Sequence, residues 1–365
     1  MNLSRTLEHL RALVAFETTN PPREIPADGG VIAYAADRLE ATGFALDIQD
    51  LGDGCVTLLA TRGDPTHLIN VHLDTVPADP GYTGDPWTLR VDDEKATGLG
   101  ACDIKGAAAC LLTAAEHTSG PAAILFTTDE EAGSSRCVRD FCARMPLALD
   151  AVVVAEPTGG RAVTGHRGIR TFTGHFHGVA GHSSGPRALE DNALHRASRW
   201  IAAALQLAEG HREELRFEEL HGSCFNVGVV EGGRKPNVVA PSARLRFGLR
   251  PLPGQDADQL ARLYLDLADS SEVTWEEGFT GPPLPATGGP DGQAALQAAR
   301  DFADRYGLPP ASPVDFWTEA ALFSQAGLPT LVLGPGHISQ AHTADESVPL
   351  DDLERVAALY AALLA

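Results

Sequence analysis

Imidazole and carboxylate side chains recur in short motifs along this chain: His72-Leu73-Asp74, Asp103, Glu130-Glu131, Glu156 and His342. Mixed nitrogen and oxygen donors of this kind prefer divalent cations. One carboxylate shared by two ions, with imidazole and carboxylate on each side, is how a protein builds a two-metal hydrolytic centre. Singly, each motif has a blander reading: His-x-Asp is commonly a hydrogen-bonded pair, and adjacent glutamates are commonly a solvated face. Glu156 is harder to place that way, because it follows Val152-Val153-Val154-Ala155. A carboxylate at the end of a buried strand is costly unless it is paired or coordinates a metal.

The surrounding residues predict the elements that position these groups. His67-Leu68-Ile69-Asn70-Val71 is short, β-branched and bounded by turn residues, which predicts a buried strand ending at His72. Residues i and i+2 of a strand face one side, so Asp74 is expected to reach the His72 ring and fix its tautomer. Ala122 to Thr128 runs into Asp129-Glu130-Glu131, and Ala151 to Ala155 runs into Glu156. Several buried strands ending in such groups at one edge are what an open α/β sheet offers.

Six segments together resemble a known family, the dinuclear metal amidohydrolases that include acetylornithine deacetylase, succinyl-diaminopimelate desuccinylase, aminoacylase and glutamate carboxypeptidase. They are Thr19-Asn20-Pro21-Pro22, Asn70 to Pro77, Gly98 to Gly106, Thr128-Asp129-Glu130-Glu131-Ala132-Gly133, Ala155-Glu156-Pro157-Thr158 and Ala341-His342-Thr343-Ala344-Asp345-Glu346. They stand in family order over nearly the whole chain. His166-Arg167-Gly168, Asp315 to Ala320 and Gly334-Pro335-Gly336 resemble the branch that deacetylates acetylcitrulline in arginine biosynthesis.

The resemblance implies roles residue by residue. His72, Asp103 and Glu156 would hold one metal, and Asp103, Glu131 and His342 the other, with Asp103 bridging. Glu130 would be the general base and Asp74 the group behind His72. Gly181-His182-Ser183-Ser184 matches the segment whose histidine stabilises the oxyanion, usually in the neighbouring subunit. Asn237 and Arg250 match substrate-binding positions, although Arg244, Arg246 and Arg250 alternate on one strand face and also fit a solvated one. Gly336, lacking a Cβ, is expected to let a substrate approach. Phe316 and Trp317 are expected to shape a pocket for a neutral ureido side chain. Two divalent ions per chain, zinc or cobalt, and a homodimer are implied as well.

The formal net charge of -21 argues against nucleic acid, since phosphate binding needs clustered Lys and Arg. Six cysteines, Cys55, Cys102, Cys110, Cys137, Cys142 and Cys224, show no Cys-x-x-Cys spacing, so reduced thiols and a cytoplasmic setting are expected. Leu3, Leu7, Leu10 and Val14 have amphipathic helical spacing without the basic start of a signal peptide. No apolar run is long enough to span a membrane.

The 365 residues and 44% apolar content suit more than one core. Up to 163, buried strands alternate with Ala-rich helices such as Ile104 to His117, which predicts an α/β fold: a mostly parallel sheet catalytic domain flanked by helices. From 164 to 274 strands such as Arg244 to Arg250 alternate polar with apolar around a helix over Asp191 to Leu207, which predicts an inserted α+β sandwich. By resemblance this is a lid and dimerisation domain. Residues 275–365 return to the catalytic domain through the strand Pro329 to Leu333. The expected function is metal-dependent deacetylation of a small N-acyl amino acid, acetylcitrulline first. Acetylornithine, succinyl-diaminopimelate or a dipeptide are alternative substrates, and a non-catalytic binding protein is the reading from another class.

Overall fold

A computed structural model describes residues 2–22, 25–212 and 215–365. The chain forms two compact units: residues 1–164, 293–311 and 318–365 make the first, and 165–292 with 312–317 the second.

The first unit is built on a six-stranded sheet in the order Ala45–Asp50, Val56–Arg62, Ala122–Thr127, His67–His72, Ala151–Val154, Thr330–Val332. The last four strands run parallel; the first two pair antiparallel at one edge. Every residue of His67–His72, Ala122–Thr127 and Ala151–Val154 is buried, as strands covered on both faces must be. Unlike its neighbours, the helix Lys105–His117 is buried on nearly every side, so its Ala-rich sequence serves close packing against Leu3–Val14 and Leu350–Leu363. A Cβ on Gly106 would lie 2.4 Å from the Ala101 carbonyl oxygen, so only glycine lets this helix begin directly after the Asp103 loop. His67 is a core residue: its ring packs on Phe302 and Tyr306, and Nε2 lies 2.8 Å from the Leu363 carbonyl oxygen.

The second unit is an antiparallel four-stranded sheet ordered Cys224–Gly232, Ser242–Arg250, Ile169–His177, Val273–Gly281. Leu245, Phe247 and Leu249 point into a core with Phe172, Phe176, Trp200 and Tyr264, while Arg244 and Arg246 are exposed. Two helices, Ala193–Gly210 and Ala257–Leu265, contribute Trp200 and Tyr264, whose carbonyl accepts the Trp200 indole N–H at 2.9 Å. The middle helix starts two residues later than expected because Asn192, not Asp191, caps it, accepting from Leu194 N. This unit also runs beyond the expected boundary at 274. Val273–Gly281 completes the sheet against Ile169–His177, and its irregular register between Glu277 and Thr280 breaks the alternation that marks the other strands.

Among the described residues, no helix is long and apolar enough to cross a membrane. None of the six cysteines is disulfide-bonded among the described residues, and Cys55, Cys102, Cys110 and Cys137 are buried.

Candidate active site

The four parallel strands bring their carboxyl ends to one edge of the sheet. His72 ends one of them, Glu130 and Glu131 follow the second, and Glu156 follows the third. His342 sits in the loop after the fourth, and Asp103 in the loop that leads into Lys105–His117. Asp103 joins two sets of donors. Its Oδ1 lies 3.2 Å from His72 Nε2, and its Oδ2 lies 3.4 Å from His342 Nε2. Glu156 Oε1 is 3.8 Å from His72 Nε2, and Glu131 Oε1 is 2.9 Å from His342 Nε2. Within each triad, His72-Asp103-Glu156 and Asp103-Glu131-His342, the donor atoms lie within 4.8 Å of one another. The triads differ in exposure: the His72 side chain is 2% accessible and that of His342 is 52%.

Behind the first triad, His72 Nδ1 lies 3.1 Å from the Asp74 carbonyl oxygen and 3.5 Å from its carboxylate Oδ1. The carbonyl is the nearer partner, because the strand ends at His72 and Asp74 lies beyond it. A carbonyl can only accept, so Nδ1 carries the proton and the Nε2 lone pair faces the donor cluster. Asp74 Oδ2 accepts the Glu131 N–H at 2.9 Å and is 3.4 Å from Asn20 Nδ2. Asn20 also donates to the Thr128 carbonyl at 2.9 Å, so the Thr19-Asn20-Pro21-Pro22 segment braces both ligand loops.

Burial and the neighbouring carboxylates push Glu130 and Glu156 well above the usual carboxylate range, and burial also raises Glu131. Burial works against the charge of Asp103, but hydrogen bonds to His342 and His72 hold it below its ordinary value. His342 is pushed up to about 10 by its hydrogen bonds to Asp103 and Glu131. Hydrogen bonds to Asp103 and Asp74 raise His72 despite its burial. The donor set therefore carries more carboxylate than its own imidazoles neutralise. With Asp103 shared and hard oxygen donors beside each imidazole, it fits two divalent cations.

Three buried ionisable groups near this cluster escaped sequence reasoning. The Glu346 carboxylate accepts the N–H groups of Gly100, Cys102 and Asp103, and burial pushes it up to about 7. Glu319, 1% exposed with Oε1 unpartnered, is pushed up to about 8 by burial and then by Asp129. Lys105 Nζ donates to the Phe16 carbonyl at 2.8 Å, and burial lowers it to about 7. The only signal in the sequence is that Glu346, Lys105 and Glu319 lie inside segments that carry the family resemblance.

His182, Asn237 and Arg250 belong to the second unit. Gly181–His182 pairs with Val238–Val239, and Ser183 N donates to the Asn237 carbonyl at 3.2 Å, so residues far apart in sequence share one ladder. His182 Nδ1 lies 2.8 Å from Ser184 Oγ. Arg250 opposes Cys224 and is lowered by burial. Arg167 is tied to Asp315 and to the carbonyls of Gly222 and His221. The Trp317 indole donates to the Pro282 carbonyl at 3.0 Å, and its ring meets Phe279 edge-on. Gly336, in the first unit, has φ +81°, and a Cβ there would lie 2.6 Å from Cys102 Sγ. The close approach this glycine permits is therefore chain against chain, where a substrate had been expected.

A family model described as Peptidase family M20/M25/M40 matches residues 68–365. N-acetyl-L-citrulline deacetylase of Xanthomonas campestris pv. campestris is 50% identical over 353 residues, covering 97% of this chain and 95% of that protein. Acetylornithine deacetylase of Myxococcus xanthus is 32% identical over 383 residues, covering 100% and 98%. The structure of an M20 family metallo-carboxypeptidase from Sulfolobus solfataricus has a TM-score of 0.75 at 18% identity, covering 100% of this chain and 99% of that one. This last likeness speaks to the fold alone.

Proposed function

Because the chain belongs to Peptidase family M20/M25/M40, we propose that it is a metal-dependent deacetylase that converts N-acetyl-L-citrulline to citrulline and acetate. The reaction class is carried by one observation, the two donor triads joined at Asp103. The substrate follows from the 50% identical relative, which covers nearly the whole chain.

His72, Asp103 and Glu156 would hold one ion, and Asp103, Glu131 and His342 the other. Bound there, divalent cations would supply Lewis acidity to the amide carbonyl and to the attacking water. Glu130 accepts the proton of the attacking water and delivers it to the amine nitrogen as the carbon–nitrogen bond breaks. Asp74 keeps His72 in the tautomer that presents Nε2. His182 donates to the oxyanion, and Asn237 and Arg250 recognise the carbonyl and carboxylate of the substrate. The second unit serves as lid and dimerisation domain, and the enzyme works as a cytoplasmic homodimer in arginine biosynthesis with zinc or cobalt.

Acetylornithine is the second reading, supported by the 32% identical relative. Metal-loaded protein is tested on N-acetyl-L-citrulline, N-acetylornithine and succinyl-diaminopimelate side by side, with a chelated control. Chelator-sensitive acetate release that favours acetylcitrulline is expected. Faster turnover of acetylornithine would reassign the substrate, and turnover that survives chelation would remove the metal reading.

A further inference from the structure

Glu346 has no role in the chemistry described so far, yet its carboxylate is buried and fully engaged by backbone donors. It is 2% exposed. Its Oε1 accepts the N–H groups of Cys102 at 2.8 Å and Asp103 at 2.9 Å, and its Oε2 accepts that of Gly100 at 2.9 Å. Its backbone is fixed as well. The Glu346 carbonyl accepts Gly98 N at 3.0 Å, and the next residue opens the strand Ser347–Pro349, which pairs antiparallel with Lys95–Thr97.

The same short segment carries His342, four residues upstream and in a left-handed conformation at φ 57°. Between the two, Asp345 accepts from Thr83 N at 3.2 Å and Thr83 Oγ1 at 2.8 Å, and pairs with Arg90 at 2.5 Å. The segment is therefore anchored at Asp345 and at Glu346, and Glu346 is the residue that reaches across to the Asp103 loop.

Three amide donors converging on one buried carboxylate leave the peptide planes of 100–103 little freedom, because a buried amide deprived of its acceptor is destabilising. The direction in which Asp103 leaves the backbone is set by those planes. Both Asp103 oxygens are in use, one facing His72 and the other facing His342. A rotation of the loop would thus disturb both triads together.

We infer that Glu346 is a positioning residue that clips the Asp103 loop to the His342 segment and so sets the geometry of both cation sites. The inference rests on the two-cation reading of those sites. It concerns affinity for the ions, not the chemistry of the amide.

Glu346→Gln and Glu346→Ala are compared with wild type by competition against a chromophoric chelator, using zinc and then cobalt, whose visible spectrum reports ligand geometry. Gln keeps one carbonyl oxygen for Cys102 and Asp103 but sets an amide donor against Gly100 N–H, so an intermediate effect is expected. Affinity at both sites should fall about 10–100-fold, with Ala worse than Gln, as for groups that orient metal ligands. Excess metal should restore kcat while KM for the substrate stays at the wild-type value, which general destabilisation would not produce. If Ala does not fold, Gln decides. Wild-type affinities and an unchanged cobalt spectrum in Gln would overturn the inference. A wild type that takes up neither ion would sink the two-cation reading, and this inference with it.

Discussion

Asp74 Oδ2 accepts the backbone N–H of Glu131 at 2.9 Å, so the residue behind His72 in one triad also fixes the start of the loop that supplies a donor to the other. Asp74→Ala removes this acceptor and leaves a buried amide unpaired, whereas Asp74→Asn keeps an oxygen for it. Metal affinity is expected to fall about 10–100-fold in Ala and less in Asn. Chelator competition on the two purified variants checks this order, and equal affinities would remove Asp74 from the site's support.

Glu130 is buried within electrostatic reach of Glu131, His72 and Glu156. As the general base, it should leave the ions in place when replaced. Glu130→Gln is expected to lower kcat by about 10²–10⁴-fold with two ions still bound per chain. Metal analysis and steady-state kinetics on one preparation test this. Normal turnover would reassign the base, and lost metal would make Glu130 a ligand.

Glu319 gives a pH-dependent stability. In the folded chain it is pushed up to about 8, while an unfolded glutamate titrates near 4.3. Between those values the folded state holds a proton that the unfolded state has released, so stability falls as pH rises through this window. Gln cannot ionise and escapes that loss. Unfolding free energies from urea titrations of metal-free wild type and Glu319→Gln should be closest near pH 5 and separate by a few kcal/mol near pH 9, at about 1.4 kcal/mol per pH unit. A gap independent of pH would show that Glu319 is ionised in the fold.

Trp317 is expected to act on stability more than on substrate choice. Its indole N–H is taken by the Pro282 carbonyl, and a Cβ on Gly281 would lie 2.4 Å from the indole ring. Trp317→Phe should cost about 1 kcal/mol or more of unfolding free energy, as for a lost buried hydrogen bond. The ratio of kcat/KM for acetylcitrulline to that for acetylornithine should stay near wild type. A change of tenfold or more in that ratio would restore Trp317 to the substrate pocket.

The strands that lead to His72, Glu130, Glu131 and Glu156 were legible because short, largely apolar runs that end beside His or acid have few other uses. Glu319 and Glu346 were not, since neither follows a strand-length apolar run and only tertiary neighbours decide its burial. The second unit's alternation was readable in Ser242–Arg250, where Leu245, Phe247 and Leu249 face the core. It was lost in Val273–Gly281, whose irregular register removes the period of two and hid the last strand of the sheet. The pairing of Gly181–His182 with Val238–Val239 joins residues far apart in sequence through two-residue strands, which leave no periodic trace.

The unequal exposure of His72 and His342 has a kinetic consequence. His72 ends a wholly buried central strand, so freeing it requires opening the most protected part of the sheet. His342 is half-exposed on a segment anchored at Asp345 and Glu346, so solvent reaches it while every strand stays paired. An ion held there would exchange with solvent directly, while release of its neighbour would be slowed by the burial of His72. Brief dilution into chelator would then yield a half-loaded chain long before it yielded an empty one.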